Sequence, residues 1–407
     1  MEVKPGYKQT EVGMIPEEWD TKPLGSVLSK GRLGGNYANQ DAEAELPLMK
    51  MGNLARGYFD LSKVQFITLA VRPEPVHRLV YGDVLFNTRN TLDLVGKVAI
   101  WRDELPVAYY NSNLMRLEFD TEQVCSNEYA NYSLNTEGAV SRLRSLATGT
   151  TSVAAIYTRD LMKLQVLVPP PSEQRAIAEA LSDVDGLLGG LDRLIAKKRD
   201  LKQAAMQQLL TGQTRLPDFH GEWEVKSLSQ ICSMKSGEGI TSANIDQFSK
   251  YPCYGGNGLR GYATRFTHEG GYALVGRQGA LCGNVYGVEG QFFASEHAIV
   301  VTPFAGTDIR WLTSVLGRMN LNQYSESSAQ PGLSVSKILK LEITVPSTKA
   351  EQTAIAEVLT EMDAELAGLE QRREKTRAIK QAIMQELLTG RTRLVARGGA
   401  ENAEVCA

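Results

Sequence analysis

The 407-residue sequence contains few of the residues that form metal centres or disulfide frameworks. It has four histidines and five cysteines, and no two cysteines stand in a Cys-X-X-Cys arrangement. Neither a zinc-ligand spacing nor a disulfide scaffold is therefore indicated, and we expect this chain to bind no metal or cofactor. Free thiols are typical of a reducing compartment, so a cytoplasmic protein is expected.

Long hydrophobic runs are also missing. The stretch "LQVLVPPP", which ends at Pro171, is far shorter than the roughly 20 apolar residues that a membrane-spanning helix needs. The first residues do not resemble a secretory signal, and we expect no membrane association. The hydrophobic content of 43% and the charged content of 22% are ordinary for a globular protein. A chain of this length is expected to form at least two domains.

Common catalytic motifs are not found either. The sequence has no G-x-x-x-x-G-K-[ST] phosphate loop and no [ND]-P-P-[YF] tetrapeptide of the kind amino-methyltransferases use. "PDFHGEWEVK" places Asp218, Glu224 and Lys226 in the order of a PD…ExK nuclease site, but both carboxylates stand within seven residues, on either side of a tryptophan. Such sites usually draw their carboxylates from separate strands. We therefore expect a binding protein and not an enzyme, with a nuclease as an alternative.

One phrase of eleven residues occurs twice. "MQQLLTGQTRL" begins at Met206 and "MQELLTGRTRL" begins at Met384, 178 positions later. With this offset, residues 173–216 and 351–394 align without a gap, and 25 of the 44 positions are identical. Two unrelated helices of similar composition do not share this much identity by chance, so the sequence contains an internal duplication.

Both copies have the apolar spacing of a long helix. Apolar residues recur alternately every four and three positions, which is the heptad pattern of a coiled-coil seam. Ser172 is the expected N-cap of the first helix, and Thr348 with Glu351 has capping-box spacing in the second. Gly212 and Gly390 are expected to end the helices. The seam residues are Ile177, Leu181, Leu188 and Leu191 in the first copy, and Ile355, Leu359, Leu366 and Leu369 in the second.

The order of charges predicts how the helices pair. In each copy an acidic half precedes a basic group, which is Lys197–Lys202 in the first copy and Arg372–Lys380 in the second. An antiparallel pair brings opposite charges together, whereas a parallel pair would bring like charges together. The helix dipole favours the same order without any partner, so part of the pattern has another explanation. Burial of the two helices in separate cores is the alternative to a coiled coil.

The remaining sequence forms two lobes of short strands and turns. The lobes open with related phrases, "GMIPEEWDTKPLGSVL" and "LPDFHGEWEVKSLSQI", but their interiors differ almost completely. We therefore predict an α+β protein in which two mixed α/β domains are separated by two long helices, paired as an antiparallel coiled coil with pseudo-two-fold symmetry. The predicted boundaries are 1–168 (first lobe), 169–216 (central helix), 217–346 (second lobe), 347–394 (C-terminal helix) and 395–407 (a disordered tail).

Each lobe contains an apolar run that ends in an arginine and an amide. "GDVLFNTRN" leads to Arg89 and Asn90, and "YALVGRQG" leads to Arg277 and Gln278. Arginine can bind guanine O6 and N7 together, and Asn or Gln can bind adenine N6 and N7, so these pairs suit base recognition. A loop arginine paired with a nearby carboxylate is the other interpretation. A Gly-X-Val triplet follows in both lobes and contributes Lys97 and Asn284.

Other polar stretches are weaker candidates for DNA contacts. "TGTTSVAAI" and "SSAQPGLSVSKI" are rich in small hydroxyl and amide residues that suit phosphate and sugar contacts, although ordinary turns explain them equally well. Two further loops carry cationic, amide and aromatic side chains. The candidates from these four stretches are Thr150, Ser152, Gln330, Lys50, Asn53, Tyr254, Asn257 and Arg260.

The combination of these features resembles one family over essentially the whole chain. The carrying phrases are "YKQTEVGMIPEEW" and "RLPDFHGEW", the junctions "VPPPSEQRAIAEAL" and "VPSTKAEQTAIAEVL", and the endings "QLLTG" and "ELLTG". Repeated twice in order, they resemble the specificity (S) subunit of type I restriction-modification systems. The resemblance implies two target-recognition domains that each read one half of a bipartite DNA site, with the helices fixing the gap.

The same resemblance implies partners that carry the chemistry. Two modification (M) subunits would bind double-stranded DNA with this chain and use S-adenosylmethionine to methylate adenine N6. Restriction (R) subunits would add translocation and cleavage that need ATP and Mg²⁺. A coiled-coil scaffold with two protein-binding lobes and no role on DNA is the alternative from another class.

Overall fold

The computed structural model describes residues 5–279, 281–325 and 332–394. The chain divides into two compact units, unit 1 (Met1–Gly190 with Arg373–Ala407) and unit 2 (Leu191–Arg372). Each unit therefore contains one predicted lobe and a part of both long helices. Residues 395–407, the predicted tail, lie outside the described residues.

The first lobe consists of short strands with four short helices, as predicted. Two 3₁₀ turns, Met51–Asn53 and Pro75–His77, complete it. The strands are β1 (Tyr7–Thr10), β2 (Gly13–Pro16), β3 (Asp20–Pro23), β4 (Leu28–Leu33), β5 (Asn39–Gln40), β6 (Pro47–Met49), β7 (Gln65–Ile67), β8 (Val84–Asn87), β9 (Arg89–Asn90), β10 (Val98–Ile100), β11 (Tyr109–Tyr110), β12 (Leu114–Phe119), β13 (Thr148–Gly149), β14 (Ala154–Ala155) and β15 (Gln165–Val168). The helices are α1 (Leu24–Val27), α2 (Asn127–Leu134), α3 (Glu137–Ser145) and α4 (Thr158–Leu161).

The second lobe lies between the two long helices in sequence, α5 (Pro171–Leu209) and α9 (Lys349–Leu387). It also contains the 3₁₀ turns Ser242–Asn244 and Leu321–Tyr324. Its strands are β16 (Glu224–Ser227), β17 (Cys232–Ser236), β18 (Tyr251–Gly255), β19 (Gly258–Ala263), β20 (His268–Glu269), β21 (Tyr272–Gly276), β22 (Val285–Val288), β23 (Gln291–Ala294), β24 (Ala298–Pro303) and β25 (Glu342–Val345). Its helices are α6 (Leu228–Ile231), α7 (Ile309–Arg318) and α8 (Val335–Ile338).

The two lobes share one topology despite their unlike sequences. The main antiparallel sheet has the order β10-β8-β12-β4 in the first lobe and β22-β21-β24-β17 in the second, and these strands occupy equivalent places in the chain. A second sheet contains one parallel pair in each lobe, β11 with β6 and β23 with β18. The chain also enters and leaves each lobe through an antiparallel pair, β3 with β15 and β16 with β25. The duplication therefore extends through the lobes, where the sequence alone does not reveal it.

Burial of apolar side chains holds each lobe together. Trp101 and Tyr110 are almost wholly buried on one face of the first lobe's main sheet, and Phe86 lies in the cluster on the other face. In the second lobe, Trp311 of α7 is fully buried in a cluster that also contains Ile355 of α9. Full burial of a large apolar side chain contributes about 1.5–3 kcal/mol to folding. The second lobe and the helices of unit 2 thus share one apolar core.

The ends of the long helices agree in part with the predictions. Ser172 is not the N-cap, because α5 already begins at Pro171, where proline is favoured since the first helical N–H needs no intrahelical acceptor. Thr348 does cap α9, since its Oγ1 accepts the N–H of Glu351 at 3.3 Å. Gly212 and Gly390 follow the two helices with φ of 71° and 70°, a left-handed conformation that favours glycine.

The antiparallel pairing predicted from the charge order is confirmed inside each unit. In unit 1, Lys380 Nζ lies 2.6 Å from Asp185 Oδ1, and in unit 2 Lys198 Nζ lies 2.7 Å from Glu365 Oε1. Lys202 and Asp363 form the ion pair in unit 2 that corresponds to Lys380 with Asp185 under the 178-residue offset. Every seam residue is buried or half-buried, and the two half-buried ones are Leu188 and Leu369. Among the described residues, no helix is long and apolar enough to cross a membrane.

Candidate nucleic-acid interface

A buried glutamate fixes the first lobe to the helices of unit 1. Glu173, at the start of α5, is 1% exposed and accepts hydrogen bonds from Trp19 Nε1 at 2.8 Å and from Arg393 Nε at 2.5 Å. Arg393 also binds Glu18, with Nη2 2.7 Å from Oε2. The segment that follows α9 is thereby joined to the entry phrase of the lobe and to the start of α5.

Unit 2 repeats this junction with the duplicated residues. Glu351 at the start of α9 is also 1% exposed, and Arg215 Nη2 donates to its Oε2 at 2.8 Å. Trp223 Nε1 donates to Glu351 Oε1 at 3.3 Å. The arginine of the "TRL" ending and the tryptophan of each entry phrase therefore meet on the same repeated glutamate, which explains why these three positions are alike in both halves.

The glutamine that follows each glutamate orients a helix of the lobe. Gln174 Oε1 accepts the N–H of Cys125 at 3.0 Å, just before α2, and Gln352 Oε1 accepts the N–H of Asp308 at 2.9 Å, at the N-cap of α7. Each bond fixes the backbone where the chain enters the helix, at the residue before the N-cap Ser126 in α2 and at the N-cap Asp308 in α7. The repeated Glu-Gln pair thus sets the position of both lobes on the helices.

The structure gathers four predicted contact residues at one edge of the first lobe. Arg89 and Asn90 form β9, which pairs with β14, and β14 pairs in turn with β13. Thr150 and Ser152 form the turn between β13 and β14, where their hydroxyl oxygens lie 3.2 Å apart. Asn90 Oδ1 accepts the N–H of Thr91 at 2.8 Å, which fixes the amide group. Arg89, Thr150 and Ser152 are exposed, so we name this three-stranded feature the first reading edge.

Lys97 lies beside the first reading edge, whereas Lys50 and Asn53 do not belong to it. Lys97 is half-buried, and its carbonyl accepts the N–H of Asn87, the last residue of β8, at 2.8 Å. Lys50 follows β6, and its Nζ lies 2.6 Å from Gln65 Oε1. Asn53 is only 4% exposed, and its amide bonds three backbone groups of its own loop. Asn53 therefore stabilises the conformation of this loop and is not available for a contact with DNA.

The second lobe places its candidates at the equivalent end of the main sheet. Arg277 follows β21, and its Nη1 donates to Ser236 Oγ at 3.0 Å. Gln278 is exposed and forms a backbone bridge to Gly332. A Cβ built at Gly256 would lie 3.6 Å from the carbonyl oxygen of Gln278, so the turn that carries the exposed Asn257 lies against it. We name the Arg277–Gln278 segment with this turn the second reading edge.

The remaining second-lobe candidates have different environments. Arg260 and Asn284 are exposed, and Asn284 occupies the place of Lys97, because its carbonyl accepts the N–H of the last residue of β21. Tyr254 packs against Tyr286 and Phe292. Burial raises the pKa of Tyr286 to about 12, so its hydroxyl stays protonated and donates to the carbonyl of the β18 end. Gln330 lies outside the described residues.

The correspondence between the two edges differs by one residue from the prediction. Thr88 N–H donates to the residue directly before β12 at 3.0 Å, and Arg277 N–H donates to the residue directly before β24 at 2.9 Å. Arg277 is therefore the counterpart of Thr88, and Gln278 is the counterpart of Arg89. Matching the two Arg-amide pairs directly was wrong, because the register is fixed by distant strands and not by the local letters.

The structure also describes the three residues of the alternative nuclease interpretation. Glu224 Oε2 lies 2.7 Å from Lys226 Nζ on β16, where Glu224 is exposed. Asp218 precedes this strand in a turn with φ of 69°. Within the described ranges there is no group of three or more His, Cys, Asp or Glu side chains that could hold a metal ion.

Two cations near the first reading edge were missed by the sequence interpretation. Arg56 and Arg144 lie far from Arg89 in sequence, in a loop and at the end of α3. Neither belongs to a motif. A backbone hydrogen bond from Gly57 to Val98 brings in the Arg56 segment, and packing of Leu143 against Gly96 brings in the end of α3 with Arg144. The sequence carries no local signal that could have identified them.

Comparison with known proteins relates the second lobe to a family of DNA specificity domains. The model of the type I restriction modification DNA specificity domain matches residues 220–378, which contain the second reading edge. The EcoprrI specificity subunit of Escherichia coli is 47% identical over 146 residues, 35% of this chain and 36% of that subunit. The putative MjaX specificity subunit of Methanocaldococcus jannaschii is 25% identical over 233 residues, 54% of each chain. This chain is similar to the type I restriction-modification specificity subunits.

Solved structures show that the whole fold is that of a specificity subunit. The S subunit of a type I system from M. genitalium matches with a TM-score of 0.63 at 17% identity, covering 95% of this chain and 98% of that one. A chain from a study of complex assembly and conformational transition of the type I system matches with a TM-score of 0.56 at 15% identity, covering 92% and 99%. The sequence alignments span about a third to a half of the first curated relatives. The protein-binding scaffold is not favoured.

Proposed function

We propose that this chain is the DNA-recognition subunit of a type I restriction-modification complex and carries out no catalysis itself. The observation that carries the proposal is the pair of reading edges. They lie at equivalent ends of equivalent sheets and expose different polar residues, Arg89 with Thr150 and Ser152 in one lobe and Gln278 with Asn257 in the other. A repeated frame with unlike contact residues suits an asymmetric target in two parts.

Base and backbone contacts have separate roles in this proposal. Arg89 and Asn90 in the first lobe and Arg277 and Gln278 in the second carry the donor and acceptor groups that distinguish bases in the major groove. The hydroxyls of Thr150 and Ser152 suit phosphate oxygens, which fix register without reading sequence. Each lobe then reads one half of a bipartite site, and the helices α5 and α9 determine the unread gap.

The reaction chemistry belongs to partner subunits. Modification subunits bind S-adenosylmethionine and methylate adenine N6, and restriction subunits use ATP and Mg²⁺ for translocation and cleavage. The net charge of −3 is compatible with DNA binding because partner subunits supply part of the phosphate-binding surface. The complex acts in the cytoplasm, where double-stranded DNA is its substrate.

Mapping of methylated adenines tests the proposal. The chain is co-expressed with its cognate modification subunit in a host without DNA methylation, and N6-methyladenine is located by single-molecule sequencing. One bipartite motif with a constant unread gap is the expected result. A complex that assembles but methylates no motif would overturn the proposal. A matched pair of chains, each with one lobe exchanged for that of another specificity subunit, should change one half-site each.

A further inference from the structure

We propose that Arg56, Lys97 and Arg144 form a cationic cluster that binds a phosphodiester group of DNA beside the first reading edge. The inference rests on the proposed function. It assigns to this lobe a contact with the DNA sugar-phosphate backbone that no motif in the sequence indicates. We name these three residues the cationic cluster.

The backbone brings the three cations together. Gly57 N–H donates to the carbonyl of Val98 at 2.8 Å, and Gly57 pairs with Ala99 in a parallel bridge, so the Arg56 segment runs alongside the segment that begins at Lys97. A Cβ built at Gly96 would lie 3.4 Å from the Cβ of Leu143, so the end of α3, which carries Arg144, packs against the segment that carries Lys97, and the charge of Arg144 acts on Arg56. Three segments that are distant in sequence therefore present positive charge at one place.

The electrostatics support this placement. Burial, followed by the charge of Arg144, lowers the pKa of Arg56, and burial, followed by the charge of Arg56, lowers the pKa of Lys97. Asp60 opposes the second shift, so one carboxylate compensates part of the positive charge. Like charges held close together disfavour the free protein and favour a bound anion.

Arg56 supplies the most specific evidence for an absent acceptor. Its Nη1 and Nη2 are shielded from solvent, and neither has a hydrogen-bond partner among the described residues. A guanidinium group with unpaired donors costs free energy, and its planar fork matches two phosphate oxygens. Arg144 is exposed, and its Nη2 bond to the carbonyl of Asp93 is long, at 3.3 Å. Arg144 is accessible as it stands, whereas the Arg56 side chain must rotate outward to place its two donors on a phosphate group.

The position of the cluster relates it to DNA. Lys97 is paired through its carbonyl with Asn87 at the end of β8, two residues before Arg89. The cationic cluster thus flanks the first reading edge. In the second lobe the place of Lys97 is taken by Asn284, and Gly283 packs against Leu321 and Asn322, which carry no charge. Among the described residues of the second lobe, this place therefore carries no matching cations.

A salt titration of DNA affinity tests the inference. The complete complex with modification subunits is titrated with a duplex that contains the mapped motif and with a scrambled duplex, at several salt concentrations. Arg56→Gln with Arg144→Gln is expected to weaken both affinities by a similar factor, on the order of 10-fold, and to lower the slope of log K against log salt by about 1–2. Lys30→Gln, on β4 at the opposite edge of the main sheet, is the control for the single variant Arg56→Gln, since each removes one positive charge, and it should leave the slope unchanged.

Two further variants separate binding from folding. Arg56→Lys keeps the charge and should retain most of the affinity, whereas Arg56→Gln should weaken binding without lowering the melting temperature of the free complex. Affinities and slopes equal to wild type in the double variant would overturn the inference, and so would a lowered melting temperature in both Arg56 variants. If the wild-type complex shows no preference for any motif, the proposed function fails instead.

Discussion

Arg393 donates a hydrogen bond of 2.5 Å to Glu173, although the two residues are 220 positions apart in the chain. The carboxylate is 1% exposed, and its other oxygen accepts the indole N–H of Trp19. Under the 178-residue offset, the same relationship joins Arg215 to Glu351 in unit 2. The duplicated sequence therefore preserves a buried ionic junction at the start of each long helix.

Removal of the arginine from this junction should destabilise unit 1. Arg393→Ala leaves Glu173 buried with no opposite charge, and loss of one partner from a buried pair costs about 3–5 kcal/mol. Because the Arg393 side chain is 18% exposed, we expect the lower part of that range. Chemical denaturation of the chain measures the effect. Arg159→Ala, in which an 82% exposed guanidinium is removed, should change stability by less than about 0.5 kcal/mol.

A second substitution tests whether the uncompensated charge of Glu173 causes the loss of stability in Arg393→Ala. Glu173→Gln in the Arg393→Ala background removes the uncompensated charge and should restore part of the lost stability. Equal stability of the single and double variants would show that packing, not the ion pair, holds the junction.

The ion pairs along the helices should contribute little to stability. Lys202 and Asp363 have exposed side-chain fractions of 23% and 59%, and such pairs usually couple by about 0.2–1 kcal/mol. A double-mutant cycle with Lys202→Ala and Asp363→Ala measures the coupling by denaturation. The cycle made with Asp185→Ala and Lys380→Ala is its duplicate in unit 1 and should give a similar value. Coupling several times larger would mean that these pairs, and not the apolar seam, hold the helices together.

Duplication and periodicity explain which features the sequence predicted. The heptad spacing from Ile177 to Leu191 and the charge order are local patterns, so the long helices and their antiparallel pairing followed directly from them. The shared topology of the lobes depends on pairings such as β12 with β4, whose strands are about 80 residues apart and differ in sequence between the lobes. No local pattern specifies such a register.

The candidate site was predicted only in part, because its residues are brought together by the same long-range strand pairing. Arg89 and Thr150 lie together because β9 pairs with β14, and the sequence placed both among the candidates without relating them. The counterpart of Arg89 was misjudged by one residue, since the hydrogen bond from Arg277 N–H to the carbonyl of His297, the residue directly before β24, sets the register. Arg56 was missed because a bridge between Gly57 and Ala99, distant in sequence, brings it to the edge.

Two equivalent glycines should be intolerant of any side chain. A Cβ at Gly34 would lie 2.2 Å from the carbonyl oxygen of Tyr110, and a Cβ at Gly237 would lie 2.3 Å from that of Ala294. Gly34→Ala and Gly237→Ala must therefore displace backbone, and we expect a loss of about 1–3 kcal/mol or more for each. Gly52→Ala and Gly239→Ala are matched controls, since nothing lies within 4 Å of their Cβ positions. Thermal unfolding of the four variants should separate them into two groups.

The first lobe should lose stability on mild acidification through His77. Its side chain is buried, its Nδ1 lies 2.6 Å from the Tyr37 hydroxyl, and burial lowers its pKa below the ordinary value of 6.5. Because the unfolded chain binds the proton more readily, the contribution is complete above about pH 6.5 and is lost as the pH falls through the lowered value. His77→Gln should therefore flatten the dependence of unfolding free energy on pH in this window. Tyr37→Phe keeps the imidazole and should retain the acid-induced loss.

The two reading edges should each control one half-site. Arg89 and Gln278 occupy equivalent exposed positions, so Arg89→Ala should relax one half of the methylated motif and Gln278→Ala the other. A good bidentate contact provides about 1–3 kcal/mol of discrimination between bases, which corresponds to roughly a 5- to 150-fold loss of selectivity at the affected position. Arg277 is held by Ser236, so Arg277→Ala should also disturb the loop and lower affinity.

Methylome sequencing of cells that express each variant with the modification subunit measures this directly. Arg159→Ala, a change of an exposed arginine that pairs with its neighbour Asp160, serves as the control and should leave both half-sites intact. If Arg89→Ala and Gln278→Ala relax the same half-site, the equivalence of the two edges does not extend to DNA recognition. If neither changes the motif, the bases are read by other residues of the lobes, because the methylated motif reports sequence discrimination and not overall affinity.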